Sequence, residues 1–80
     1  MNINYSKKAV KVINRMGSIT KQRIRKAIEQ LPDGDIKLLQ GHVSTYRLRV
    51  GDWRVLFSYP ESDTILVEKI GPRGQIYKEV

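Results

Sequence analysis

The chain has 80 residues, of which 15 are Lys or Arg and 8 are Asp or Glu, for a formal net charge of +7. That length supports one domain spanning residues 1–80 around a small core, and excludes a dinucleotide-binding unit joined to a substrate domain, or any barrel enzyme. The 40% hydrophobic content is that of a globular protein, the lack of cysteine excludes disulfides, thiolate catalysis and Cys-ligated metals, and the positive excess calls for a polyanionic partner: nucleic acid, an anionic membrane or an acidic protein.

In chain order, Ile3 and Tyr5 alternate with Asn2 and Asn4, a short strand pattern. Ser6 suits a helix N-cap, and Ala9, Val10, Val12, Ile13 and Met16 follow at helical spacing, with Gly17 expected to end that helix as its C′ residue. Ser18 or Thr20 is expected to cap a second helix, whose apolar face carries Ile24, Ala27, Ile28 and Leu31 before Pro32-Asp33-Gly34-Asp35 stops it. The short link makes the pair an αα-hairpin. The period then changes. Residues 46–50 alternate strictly and 53–59 nearly so, and Gly51-Asp52 between them fits a two-residue type II′ hairpin turn. Pro60-Glu61-Ser62-Asp63 is a turn, residues 64–70 are apolar on both faces as in an inner strand, and Gly71-Pro72-Arg73-Gly74 is a further turn before a short tail. The resulting order, β-α-α-β-β-β, is an α+β fold in which a small antiparallel sheet packs on an N-terminal helical hairpin.

The hairpin register can be worked out from its turn. Val50 faces Trp53, Arg49 faces Arg54, Leu48 faces Val55 and Arg47 faces Leu56. Tyr46, Leu48, Val50, Trp53, Val55 and Phe57 then share the helix-facing side, and Arg47, Arg49 and Arg54 share the other. Like charges placed directly opposite one another destabilise a sheet. Three guanidiniums on one face instead match the donor geometry that phosphate oxygens accept, whereas the structural alternative is a solvated face with Glu68 as counter-charge. Arg73, in a constrained turn, can aim across the end of the sheet. Tyr77 is placed either to stack on a base or to anchor the tail. His42, in a loop, is an outside candidate for acid–base work. Lys7, Lys8, Lys11, Lys21, Arg23, Arg25 and Lys26 read as a solvated helical face or a broad electrostatic footprint for RNA. One His without a carboxylate cluster gives no metal site, and no cofactor is expected. No apolar run is long enough to span a membrane and no signal-peptide core precedes residue 6, so the expected location is the cytoplasm.

Three stretches carry a resemblance: Lys37-Leu38-Leu39-Gln40-Gly41, then Tyr46-Arg47-Leu48-Arg49-Val50-Gly51-Asp52-Trp53-Arg54-Val55-Leu56-Phe57, then Ile70-Gly71-Pro72-Arg73-Gly74-Gln75-Ile76-Tyr77-Lys78. With these, and in the order of its elements, the chain resembles the RelE/ParE superfamily of bacterial toxins from toxin–antitoxin modules, in its RelE-like branch. The resemblance implies a metal-independent endoribonuclease that enters the ribosomal A site and cuts mRNA by attack of a ribose 2′-OH on its own phosphate, leaving a 2′,3′-cyclic phosphate and a 5′-OH. By the same resemblance the family's basic strand residues fall on Arg47, Arg49 and Arg54, its Arg after the last strand on Arg73, and its C-terminal aromatic on Tyr77. Lys37 and Lys78, within the matching stretches, are further candidates for RNA contact. Arg54 and Arg73 would clamp the scissile phosphate while Arg47 and Arg49 position the backbone.

Some relatives have Lys where this chain has Arg47 and Arg49, and Arg is a poor general base. The base is therefore His42, Tyr77, a ribosomal RNA group, or none. The implied partner is a cognate RelB-like antitoxin, whose toxin-binding segment should be acidic to match the positive chain. DNA would be engaged only through that antitoxin. The competing functions are a ParE-like gyrase poison and a non-catalytic RNA-binding module. The joint presence of Arg49, Arg54, Arg73 and Tyr77 argues against the gyrase poison, which has no need of a phosphate clamp.

Overall fold

A computed structural model describes residues 1–39 and 44–76. His42, Tyr77 and Lys78, and the Gln40-Gly41 end of the first matching stretch, lie outside the described residues. The elements are β1 (Asn2–Tyr5), α1 (Lys7–Asn14), α2 (Ser18–Glu29), β2 (Asp35–Leu38), β3 (Thr45–Val50), β4 (Trp53–Glu61) and β5 (Thr64–Pro72). The five strands form one sheet in the order β1-β5-β4-β3-β2. Its β3-β4-β5 part is antiparallel, as expected, β2 adds a further antiparallel edge beside β3, and β1 adds a parallel edge beside β5. The sheet has one strand more than the pattern of the sequence suggested. Asp35–Leu38 carries no clear alternation of burial, because this edge strand packs only Ile36 against the core and leaves Leu38 exposed. Its strand form comes from pairing with β3 and not from its own amphipathicity.

The helix boundaries show how local signals compete. Ser6 caps α1 as expected: its Oγ accepts from the Ala9 N–H at 3.1 Å and donates to the Glu68 carbonyl at 2.6 Å. One hydroxyl thereby ends a helix and ties it to β5. Gly17, however, is not a left-handed C′ residue. Its φ is −63°, and it serves as the N-cap of α2, accepting at its carbonyl from Lys21 N–H, while Ser18 is already helical and neither Ser18 nor Thr20 caps. The end of α1 closes through Arg15 N–H to Val12 O and Met16 N–H to Ile13 O, so no positive-φ residue is required there.

Helix α1 lies on β5 and α2 on β3. Between helices and sheet lies the core of Ala9, Ile13, Ile24, Ile28, Leu31, Leu48, Val55, Phe57, Ile65, Val67 and Ile70. Tyr46, Val50 and Trp53 pack against it, so the helix-facing side of the hairpin is the one that alternation assigned. Tyr46, Phe57 and Tyr59 form a mutual aromatic group with ring centroids 5.5–5.8 Å apart. The described helices include none that is long and apolar enough to cross a membrane.

Replacing Ser6 by Ala removes both of its bonds, and should lower stability by about 1–2 kcal/mol. The check is a urea melt with a reduced midpoint and an unchanged slope. Burial pushes the Tyr5 phenol above its ordinary value of 10.0; nearby Arg25 opposes this and Glu29 adds to it. A folded-state value above the unfolded one means that stability is full below the unfolded value and is lost as pH rises through the folded one. Tyr5→Phe should therefore lose less stability than the wild type between pH 9 and about 11, as measured by urea melts across that range.

Candidate phosphate-binding face

The Gly51-Asp52 turn organises the site. Gly51 has a φ of +59° and Asp52 has no positive φ, the pattern of a type II′ turn. The register that follows is the expected one: Val50 opposite Trp53, Arg49 opposite Arg54, Leu48 opposite Val55 and Arg47 opposite Leu56. Adding the neighbouring strands gives two rows across the face away from the helices. One runs Asp35, Arg49, Arg54, Gly71, and the other Lys37, Arg47, Leu56, Lys69. Five of these eight residues are basic, and Asp35 is their one acid. Asp35 lies 3.7 Å from Arg47, whose side chain is 12% exposed, and is itself 54% exposed, so the pair is long and its acidic half is screened by solvent.

The face resolves its like-charge problem by turning one guanidinium aside. Arg54 is only 7% exposed, and its Nη1 donates to Gly51 O at 2.8 Å and to Trp53 O at 2.9 Å. It bonds to the turn that begins its own strand, and leaves Arg49 exposed across the ladder. Nε and Nη2 of Arg54 have no protein partner among the described residues. The same turn holds Arg73, whose backbone N–H donates to Asp52 O at 2.7 Å while its side chain stays in solvent. One two-residue turn thus fixes a buried guanidinium and the backbone of an exposed one.

Leu56 and Ile76 are buried to 1% and 3%, yet neither belongs to the helix-side core. Leu56 stands between Arg47 and Lys69 in its row. Ile76 packs over Gly71, where a Cβ would come within 3.4 Å of the Ile76 Cβ. Gly71 is directly opposite Arg54, so a side chain there would compete with Ile76 for the floor of the face. Glu68 is the extra residue of a β-bulge between Val67 and Lys69, and its buried Oε2 has no hydrogen-bond partner among the described residues. No ion pair joins it to an arginine of the face. The sequence reading missed both Leu56 and Ile76 as an outer apolar floor; the clue was an apolar residue standing opposite Arg47. Among the described residues no three His, Cys, Asp or Glu side chains are grouped to ligate a metal.

Of the candidate residues, Arg47, Arg49, Arg54 and Lys37 are brought to one face and Arg73 to its rim. A family model for the ParE toxin of the parDE type II toxin–antitoxin system matches residues 3–77. The chain belongs to that toxin family, within the RelE/ParE superfamily. The RelB–RelE antitoxin–toxin complex of Methanococcus jannaschii contains a chain that is 26% identical, with a TM-score of 0.77 and coverage of 95% of this chain and 96% of that one. The archaeal RelE–RelB complex of Pyrococcus horikoshii gives 28% identity, a TM-score of 0.71 and coverage of 92% and 96%. The intact RelBE toxin–antitoxin complex of E. coli gives 16% identity, a TM-score of 0.67 and coverage of 89% and 94%, a likeness of fold. These relatives put the toxin in the RelE-like branch. No curated protein matches the chain.

Arg54→Ala strips the donors from two turn carbonyls and opens a buried space, and should cost about 2–3 kcal/mol. Arg73→Ala touches an exposed side chain only and should stay within about 0.5 kcal/mol of the wild type. Paired urea melts of the two variants check the difference.

Proposed function

We propose that this toxin is a ribosome-dependent mRNA endoribonuclease, restrained by a RelB-like antitoxin. The observation that carries this reading is the coupling of Arg54 and Arg73 through one turn, on an open face where Arg49 and Arg73 have no ion-pair partner among the described residues. Such a face is built to meet anionic oxygens brought from outside. The described relatives are RelE chains in complex with RelB, which supports the antitoxin as partner.

In the proposed reaction the ribose 2′-oxygen forms a bond to the adjacent phosphorus and the bond from phosphorus to the 5′-oxygen breaks. The products are a 2′,3′-cyclic phosphate and a 5′-hydroxyl. The 2′-OH proton passes to a base, and the leaving 5′-oxygen takes up a proton. Arg73 and the Nε and Nη2 donors of Arg54 receive the charge that builds on the phosphate oxygens, from a frame already fixed by the turn. Arg49, Arg47 and Lys37 hold flanking backbone phosphates. Tyr77, next in sequence after Ile76, would stack on or orient the substrate nucleotide, and Lys78 would add a further contact. The base is His42, Tyr77 or a group of the ribosome. Where none acts, orientation and charge stabilisation carry the rate. This chemistry needs no metal or organic cofactor.

Purified toxin added to translating ribosomes on a defined mRNA should cut within the A-site codon, as mapped by primer extension, and leave cyclic phosphates. Arg73→Ala should lower the single-turnover rate about a hundredfold or more while the protein stays folded. Intact mRNA with the wild-type protein would overturn the reading. The matching family model is named for parDE toxins, so the second reading is a gyrase poison. It predicts trapped gyrase–DNA cleavage complexes in place of cut mRNA.

A further inference from the structure

The helix-borne cations were expected to be a solvated face or a broad electrostatic footprint for RNA, and one of them, exposed as expected, also reaches the sheet. Arg23, on α2, reaches the hairpin turn: its Nη2 lies 3.2 Å from where a Cβ on Gly51 would stand. The Gly51 carbonyl on the same residue accepts from Arg54 Nη1 at 2.8 Å. Two guanidiniums from different layers of the fold therefore converge on one glycine, separated by at most roughly 9 Å, the two contact distances plus the width of a residue. Arg73 joins the same turn through Asp52 O. Arg23 is exposed and has no ion-pair partner among the described residues, although Asp52 belongs to the turn it crosses. The lack of a side chain at Gly51 leaves that approach open, and its positive φ discourages any other residue from filling it.

We infer that Arg23 is a phosphate-binding residue of the toxin, and that it carries the guanidinium face from the sheet around the Gly51-Asp52 turn onto α2. Resting on the endoribonuclease reading, it engages an RNA backbone phosphate next to the one held by Arg54 and Arg73. The upper bound on their separation brings the two guanidiniums close enough to meet neighbouring phosphates of one strand. The fork of an Arg suits a phosphate better than a lone carboxylate. Arg23 acts on affinity and register, whereas Arg54 and Arg73 act on the reacting phosphate.

The test is built to separate this inference from the cleavage reaction. The probe is a short fluorescein-labelled single-stranded RNA, 2′-O-methylated at every ribose and therefore uncleavable, titrated with the toxin at several salt concentrations. Arg23→Met keeps the aliphatic stem over Gly51 and removes the charge, and Arg23→Lys keeps the charge. Arg23→Met should reduce the slope of log affinity against log salt by about 0.7, the value for one lost phosphate contact on a single strand, and Arg23→Lys should restore it. An equal melting temperature for the Met variant assigns the change to charge. On programmed ribosomes Arg23→Met should raise KM severalfold and leave kcat within about twofold. An unchanged salt slope, a wild-type toxin that does not bind the probe at low salt, or a fall in kcat with KM constant overturns the inference. So does an effect confined to antitoxin affinity, which would make Arg23 a protein contact. Failure of wild-type cleavage with the slope change intact overturns the nuclease reading and spares Arg23.

Discussion

Everything on the basic face depends on the bond from the Arg54 guanidinium to the carbonyls of Gly51 and Trp53. A guanidinium placed directly opposite another on a neighbouring strand is a source of instability. Here it becomes a brace, because the turn presents two carbonyl acceptors within reach. The brace holds the hairpin, the hairpin sets the parity of β3 and β4, and that parity decides which side chains meet the helices and which meet solvent. The same turn accepts the backbone of Arg73 and sits beneath Arg23. Charge, register and site geometry therefore share one short segment.

This arrangement divides work between buried and exposed arginines. Arg54 has lost most of its freedom and gained a fixed position, so its remaining donors need little reordering when an anion arrives. Arg49 and Arg73 keep their exposure and their charge. Preorganised dipoles and cations do the most in a reaction whose transition state gathers negative charge on phosphate oxygens. Beside them, the buried Leu56 and Ile76 form an apolar floor.

The hairpin shows how far local chemistry reaches. A strict alternation on either side of Gly51-Asp52 was enough to derive the pairing of Arg49 with Arg54 and the inward side of Trp53, since a two-residue turn leaves one register. The α1–α2 link shows the opposite case. Gly17 has the composition of a helix terminator, yet it takes an ordinary φ and starts the next helix, because two tight backbone bonds had already closed α1. Edge strand β2 was invisible for a related reason: with one half-buried apolar residue, it has almost no pattern to read, and its form is imposed by β3.

The sequence by itself determined the α+β class, the core faces, the hairpin register and the clustering of Arg47, Arg49 and Arg54. Those features follow from periodicity and turn chemistry, which act over a few residues. Only the tertiary structure decided that Arg54 folds onto its own turn, that Arg73 docks through its backbone on Asp52, that Ile76 returns to cover Gly71, and that the Arg23 guanidinium reaches Gly51. Arg54 and Ile76 fold back on near neighbours in conformations that periodicity does not specify, whereas the approaches of Arg73 and Arg23 to the turn depend on the separation of groups far apart in the chain. That separation is set by how α2 packs on β3 and how β5 pairs with β4, and no spacing within a single element encodes it.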